Sequence, residues 1–239
     1  MKMNKLKHSI TSVCFTWIVV FGLIPVCLLL VTSILEQHPE KFFSLRLSFG
    51  SYQQIIDQAY LSILRDSLKI SLLTTTVCLL IGYPFAWCTK RIIPKYRLVV
   101  LALLVIPFWT NSLVRAYAVR LLIGTKGILN KSLLYLGVID SPIRLMYTEY
   151  AVIIGLIYLM LPFMIFPLYV NLEKFDYKLV EASRDLGASP FTTFIKIVLP
   201  LTQPGIMAGC IMVFVPTMGM FYVASLLGGA KNMLVGNLI

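Results

Sequence analysis

Charged side chains are scarce in this sequence, and acidic ones are the scarcest. Asp, Glu, Lys and Arg make up 13% of its 239 residues, whereas soluble proteins contain about 25%. The chain has 10 acidic and 21 basic residues, and 59% of its residues are hydrophobic. This deficit excludes an ordinary soluble globular domain and predicts a chain dominated by a single membrane domain.

Residue types that build catalytic and metal sites are also sparse. There are two His and five Cys, and every Cys lies in or beside an apolar run without C-x-x-C spacing. The stretch GTKGILNKS, residues 124–132, contains Gly and a Lys-Ser pair. Its spacing nevertheless differs from the phosphate-binding G-x4-G-K-[ST] pattern. We therefore expect no catalytic residue, no metal site and no bound cofactor.

The positive net charge of +11 raises the question of nucleic-acid binding, because basic chains attract phosphate. The basic residues, however, fall in the gaps between apolar runs. In that position Lys and Arg act as topology signals and contact lipid headgroups. The sequence therefore favours the lipid membrane, and not a nucleic acid, as the partner of these charges.

Five segments are long and apolar enough to cross a bilayer, for which a helix needs about 20 residues. They are residues 17–35, 70–88, 98–114, 150–170 and 205–227. The first follows three Lys residues, as a signal peptide would, but it exceeds the usual apolar length of about 7–15 residues. We interpret it as an anchor span, and the fold class as an all-α polytopic membrane protein. Prolines within the spans predict kinks.

The distribution of Lys and Arg predicts the orientation. The N-terminal tail and the tight loop KRIIPKYR, residues 90–97, are both basic, so we expect both in the cytoplasm. The segment between the third and fourth spans is also basic, but it is long, so its charges are diluted. Under this orientation residues 36–66 form a periplasmic loop and residues 171–200 form a cytoplasmic loop.

The stretch EASRDLGASPFTTFIKIVLP, residues 181–200, is unusually polar for its surroundings. Asp176 can cap a short helix over residues 177–186, and Gly187 stands where a left-handed residue would end it. Ser189 can cap a second helix whose first residue is Pro190. The stretch is therefore predicted to form two helices joined by a glycine turn.

The second helix is predicted to be amphipathic, and to end at Pro200 and Pro204 before the fifth span. Its apolar stripe consists of Phe191, Phe194, Ile195 and Val198. Two interpretations follow from the residues alone. The segment could lie on the membrane surface as a connector, or it could insert into a groove on a soluble partner.

The same stretch resembles the EAA loop of ABC importer permeases, whose pattern is EAA-x3-G-x9-I-x-LP. All fixed positions match in spacing, and Ser183 in place of the second Ala is the one departure. The resemblance implies that the loop docks on a cytoplasmic ATPase subunit. The coupling residues that it implies are Glu181, Ala182, Ser183, Gly187, Ile197, Leu199 and Pro200.

Further stretches resemble the permease subunits of spermidine/putrescine ABC importers, the B-type subunit more than its C-type sister. They are IGYPFAW, VIPFWTNSLVRAY, GTKGILN, GVIDSPIRLMYT and MGMFYVASLLGGAKN. The family implies a MetI-like type I permease of the bacterial inner membrane. Its partners would be a sister permease, two copies of an ABC ATPase and a periplasmic polyamine-binding protein. ATP would be hydrolysed in the partner, so this chain would not itself be an enzyme.

The family has six spans, and the sequence supplies five of them. We therefore expect residues 1–35 to form the tail and first span, and residues 67–239 to form a C-terminally incomplete permease domain.

A path for a polyamine needs aromatic faces and carboxylates, yet the five spans contain neither Asp nor Glu. The pathway candidates are Trp109, Asn111, Tyr117 and Tyr222, each of which could equally pack or sit in an interfacial aromatic belt. Asp140 and Glu149 could attract cations near the entrance. Alternatively, Asp140 begins a turn and Glu149 belongs to the first turn of the fourth span.

Two alternatives to a polyamine importer stay open at this point. The chain could serve an importer of another small solute, since the docking loop is shared across substrates. It could also belong to a different class, as a secondary transporter or a membrane scaffold.

Overall fold

The computed structural model describes residues 11–36, 44–47, 58–229 and 234–237, and divides into two units, Met1–Ser62 and Ile63–Ile239. In the first unit, α1 (Thr11–Ser33) is a 23-residue apolar helix without a buried residue in its most apolar stretch. It covers the predicted first span except for its last two residues, of which Leu35 lies in β1. A short antiparallel ribbon follows, formed by β1 (Leu35–Glu36) and β2 (Ser44–Leu47). The basic tail Lys2, Lys5 and Lys7 lies outside the described residues.

From Gln58 onward the described chain is helical except for its connecting loops, which confirms the all-α class apart from the ribbon. The helices are α2 (Gln58–Arg91), α3 (Pro94–Val105), α4 (Ser112–Ile123), α5 (Ile128–Tyr135), α6 (Glu149–Lys174), α7 (Lys178–Asp185), α8 (Pro190–Gly219) and α9 (Phe221–Val223). A π-helical turn, Ala224–Gly228, continues α9. The predicted second and fourth spans lie within α2 and α6.

The centre of the second unit is α6, which is apolar around its whole circumference and therefore buried on several sides. It packs along α8, and small residues bring the two backbones together. A Cβ on Gly205 would lie 2.6 Å from the Cβ of Asn171, and one on Gly209 would lie 2.8 Å from the sulfur of Met164. A larger side chain at either glycine would force these helices apart.

The predicted third span is wrong in its second half, because the helix does not continue to residue 114. After α3 comes a 3₁₀ turn, Ile106–Trp109, and the chain then bends by 98° into α4. Pro107 lacks the N–H that would continue an α-helix, and Asn111 starts a new helix by accepting a hydrogen bond from the N–H of Leu113 at 2.9 Å. Four described helices are long and apolar enough to span a membrane, or five if the bent pair counts as one.

The predicted boundaries of the fifth span are also wrong. Instead of ending at Pro200, the second loop helix runs without interruption from Pro190 to Gly219. Its residues Phe194–Val198 form a π-helical turn just before Pro200, which lacks the N–H of a regular α-helical hydrogen bond. The helix ends before Met220 (φ −77°, ψ 61°), so Tyr222 lies in α9 and not in this span.

The GTKGILN stretch forms the tight turn between α4 and α5. A Cβ on Gly127 would lie 2.4 Å from the carbonyl oxygen of Leu121, so this position requires glycine. The buried Asn130 side chain donates to the carbonyls of Gly124 and Ile143 at 3.1 and 3.0 Å, and accepts from the Ile143 N–H at 2.9 Å. The motif thus fixes the α4–α5 turn to the segment that precedes α6.

Candidate functional site

The helices α7 and α8 form a helical hairpin whose turn is centred on Gly187. The first helix begins at Lys178, one residue later than predicted, and the Asp176 carboxylate accepts a hydrogen bond from the Lys178 N–H at 3.0 Å. At the other end Gly187 has a φ of +79°. The N–H of Gly187 donates to Arg184 at 2.8 Å, and that of Ala188 to Ser183 at 3.0 Å. This is a complete Schellman motif, which confirms the predicted left-handed glycine.

The second helix of the hairpin also starts as predicted. The Ser189 hydroxyl accepts a hydrogen bond from the Thr192 N–H at 3.2 Å, and Pro190 is the first helical residue. Proline is favoured there because its missing N–H has no intrahelical partner to lose. The turn geometry of the loop is therefore encoded by residues within it.

A buried hydroxyl pair joins the two helices of the hairpin. The oxygens of Ser183 and Thr193 lie 2.9 Å apart, and both side chains are buried. Ser183 also donates to the Val180 carbonyl at 2.8 Å, so Thr193 is the donor between the two hydroxyls. Ser183, the one departure from the EAA pattern, thus locks α7 against α8. Sequence reasoning missed Thr193, since no motif marks it.

The tip of the hairpin presents an exposed surface. Glu181 and Ala182 are exposed, while Leu186 and Phe191 expose 88% and 73% of their surface. Apolar side chains that are exposed to this extent, next to a carboxylate, are suited to contact with another protein. We refer to Glu181, Ala182, Leu186 and Phe191 as the hairpin tip.

The predicted apolar stripe of the second helix divides between two environments. Phe191 faces outward at the tip, whereas Val198 is 3% exposed. Phe194 packs edge-on against Tyr83 of α2, with ring centroids 5.8 Å apart. Ile197, Leu199 and Pro200, the remaining predicted coupling residues, lie further along α8, away from the turn; Ile197 is half-buried and the other two are exposed.

The C-terminal end of α2 holds the segment that leads into the hairpin. Arg91 donates to the Tyr177 hydroxyl at 2.6 Å, and its guanidinium lies 5.4 Å from the ring centre of Trp87 and 5.8 Å from that of Tyr177. Lys90 donates to the Phe175 carbonyl at 2.6 Å. We call Trp87, Lys90, Arg91, Phe175 and Tyr177 the clamp, because they connect α2 to the start of the hairpin.

The basic loop KRIIPKYR completes this connection. Arg97 donates to the carbonyl of Lys90 at 2.7 Å and lies 3.7 Å from the Glu173 carboxylate near the end of α6. A cavity of about 370 Å³ remains between the α2 end and the hairpin. It is lined by aromatic rings and by two cations, Arg91 and Arg184.

The four pathway candidates are distributed over three elements. Trp109 is 86% exposed at the bend after α3, and the Asn111 side chain caps α4. Tyr117 is exposed on α4, and Tyr222 is half-buried on α9. Within the described part of the chain, no hydrogen bond or ring contact joins any two of them.

The two entrance candidates differ in their surroundings. Glu149 occupies the first turn of α6, as the structural interpretation predicts, and forms an ion pair with Lys69 of α2 at 2.8 Å. Asp140 is exposed in a bend between α5 and α6. No group of three or more His, Cys, Asp or Glu that could hold a metal ion occurs among the described residues.

Comparisons with known proteins agree with this architecture. Residues 71–239 match the family model of the binding-protein-dependent transport system inner membrane component. The spermidine/putrescine transport system permease protein PotB of Haemophilus influenzae is 50% identical over 236 residues, covering 99% of this chain and 82% of the relative. PotB of Escherichia coli K12 is 50% identical over 223 residues, covering 93% of this chain and 81% of the relative.

A solved structure supports the same fold. A chain of a bacterial alginate ABC transporter, crystallised in complex with an alginate pentasaccharide-bound periplasmic protein, has a TM-score of 0.71. The match covers 99% of this chain and 82% of the transporter chain at 16% identity. The MetI-like fold is therefore confirmed, and the chain belongs to the family of binding-protein-dependent transport system inner membrane components.

Proposed function

We propose that this chain is the permease subunit of an ATP-driven ABC importer for polyamines such as spermidine and putrescine. The 50% identity to PotB proteins over nearly the whole chain supports the substrate class. The observation that carries the coupling role is the hairpin. Its Schellman turn holds an exposed carboxylate and exposed apolar side chains at the end of a long transmembrane helix.

The proposed assembly contains a sister permease, two copies of a cytoplasmic ABC ATPase and a periplasmic polyamine-binding protein. The permease domain comprises residues 67–239, with residues 171–200 as the coupling loop. The N-terminus, the KRIIPKYR loop and the hairpin face the cytoplasm of a bacterium, and residues 36–66 face the periplasm. The basic composition of the N-terminal tail and of the short KRIIPKYR loop supports this orientation.

The structure offers two routes from the hairpin tip to the membrane. The first is α8, which runs from Pro190 to Gly219 without a break, so a displacement of its N-terminal end tilts the whole helix. The second is the clamp, through which the start of the hairpin displaces the end of α2. ATPase closure would thereby favour one orientation of these helices over the other, as alternating access requires.

Glu181, Ala182 and Gly187 would contact the ATPase, whereas Ser183 would keep the hairpin rigid. Ile197, Leu199 and Pro200 would transmit the movement along α8. Trp109, Tyr117 and Tyr222 remain the proposed aromatic contacts of the polyamine, with Asn111 as a polar contact beside them. Aromatic faces attract ammonium groups through their quadrupole.

The test is a pair of substitutions at Gly187. A side chain there meets no atom within 4 Å, so the positive φ is the local constraint. Asn and Asp both tolerate that conformation, and they differ in charge. We expect Gly187→Asp to uncouple ATP hydrolysis from labelled polyamine uptake, and Gly187→Asn to retain most of the uptake. Normal uptake by Gly187→Asp would contradict the coupling role.

Two further measurements separate the alternatives. Co-purification of an ATPase that depends on residues 181–200 would distinguish an ABC permease from a secondary transporter or scaffold. Competition of uptake by unlabelled spermidine, putrescine and unrelated small solutes would identify the substrate.

A further inference from the structure

A basic recess of about 460 Å³ lies between the α4–α5 turn and the segment that precedes α6. Its charged lining residues are Arg120, Lys126 and Arg144, and no carboxylate lines it. All three belong to the described part of the chain. A concave surface that carries one sign of charge focuses an electrostatic potential of that sign.

Within the part of the chain that the structure describes, these three cations have no carboxylate partner. In the described residues, the ion pairs are Lys69 with Glu149 and Arg97 with Glu173, so Arg120, Lys126 and Arg144 belong to neither. Lys126 and Arg144 are exposed. The Arg120 guanidinium donates to the Tyr147 hydroxyl at 3.3 Å, which leaves its charge uncompensated.

The wall of the recess is held in a fixed conformation by the π-helical turn Ala224–Gly228 and by Gly229 after it. Tyr147 is the described non-glycine residue with a positive φ, at 64°. Its N–H donates to the Leu227 carbonyl at 2.8 Å, and its ring lies so close to Gly229 that a Cβ there would be 3.0 Å from it. A strained backbone persists where its surroundings determine it, and such residues cluster at functional sites. The recess is therefore preformed.

A preformed basic recess selects an anionic ligand and repels a free polycation, so it does not bind the polyamine. We propose that it binds carboxylate side chains on the water-soluble protein that delivers the polyamine to this permease, an inference that rests on the function proposed above. A protein that captures a polycation needs carboxylates around its cleft. The charge of such a rim is complementary to that of the recess.

The location of the recess supports this partner. It lies beside Glu149, at the N-terminal end of α6, whereas the hairpin follows Lys174 at the C-terminal end. A helix of 26 residues is about 39 Å long, which places the recess and the hairpin at opposite membrane surfaces. The recess thus faces the side from which substrate would arrive.

The test uses the complete importer in vesicles of phosphatidylethanolamine and phosphatidylglycerol. ATPase activity is measured against the concentration of polyamine-loaded binding protein for Lys126→Glu/Arg144→Glu. The control is Lys131→Glu, an equal change of charge per residue on an exposed position of α5 outside the recess. We expect the double variant to raise the half-saturating concentration about tenfold and to weaken its salt dependence. The control stays at the wild-type value.

The outcomes are distinct. A half-saturating concentration equal to that of the control would overturn the inference, provided that the ATPase co-purifies in normal yield and so shows a folded complex. If the yield falls, the neutral variant Lys126→Gln/Arg144→Gln is measured in place of the charge-reversed one. An unchanged half-saturating concentration of binding protein then overturns the inference. An effect that follows the phosphatidylglycerol fraction instead would identify a lipid site. A wild-type complex without polyamine-dependent stimulation would refute the proposed function first, and this inference with it.

Discussion

At the scale of single residues, Ser183 has a role that the family pattern does not predict. The EAA pattern has Ala at this position, and the hydroxyl of Ser183 instead forms a buried pair with Thr193 at 2.9 Å. Both side chains are almost fully enclosed. Buried hydroxyls that lose a partner are costly, because water cannot replace it.

We predict that Ser183→Ala lowers the stability of the hairpin by about 1–2 kcal/mol, because Thr193 loses its acceptor. Thr193→Val alone should cost a similar amount. The double variant should cost less than the sum, since neither hydroxyl is left unpaired. Thermal unfolding of the purified complex in detergent measures all three. Strictly additive losses would show that the two hydroxyls do not interact.

The neighbouring residues Asp176, Gly187 and Ser189 show what the sequence could predict at this scale. Each acts on backbone groups within a few positions of itself, so its effect follows from local chemistry. The Ser183–Thr193 pair spans ten positions and depends on how α7 lies against α8. No local pattern determines that packing, and the pair therefore could not be predicted.

At the scale of elements, composition located the helices but not their ends. The spans at α2 and α6 were predicted correctly because a long apolar run in a membrane forms a helix, which satisfies its backbone hydrogen bonds internally. The third span breaks after Trp109, where Phe108 packs on Phe163 of α6 with ring centroids 5.1 Å apart. Pro107 lies at this break, but α8 also contains prolines and continues through them. Tertiary contacts, and not the proline itself, decide between the two outcomes.

The clamp makes a prediction about how α2 and the hairpin move together. Replacing Arg91 by Ala removes its hydrogen bond to Tyr177 and its contacts with two rings. At an exposed site these are worth about 1 kcal/mol, or roughly fivefold in an equilibrium. We expect uptake per ATP hydrolysed to fall severalfold while the ATPase still binds.

The matched control for the clamp is Lys95→Ala, which removes an exposed charge from the same loop outside the clamp. Tyr177→Phe provides a finer comparison, since it retains the ring and removes the hydroxyl that accepts from Arg91. It should give an intermediate loss. Equal ratios of uptake to hydrolysis in Arg91→Ala and Lys95→Ala would show that the clamp does not transmit movement.

At the scale of the whole molecule, α6 separates two surfaces of different chemistry. The hairpin tip, with apolar side chains and a carboxylate, lies beyond Lys174, and the basic recess lies near Glu149. Lys69 joins α2 to α6 at the recess end, while Arg97 joins the first turn of α3 to α6 at the hairpin end. Helix α6 is therefore joined to α2 at one end and to α3 at the other.

The orientation of these helices in the membrane decides whether the hairpin tip and the basic recess can each meet the proposed partner. Short loops rich in Lys and Arg are retained in the cytoplasm, so we predict that residue 95 lies inside and residue 131 outside. Lys95→Cys and Lys131→Cys, each in a chain whose five native cysteines are replaced, report this directly, because both positions are exposed. A membrane-impermeant maleimide should label residue 131 in intact cells, and residue 95 after permeabilisation. Labelling of residue 95 in intact cells would place the hairpin outside, where it could not reach a cytoplasmic ATPase. That result would contradict the coupling role.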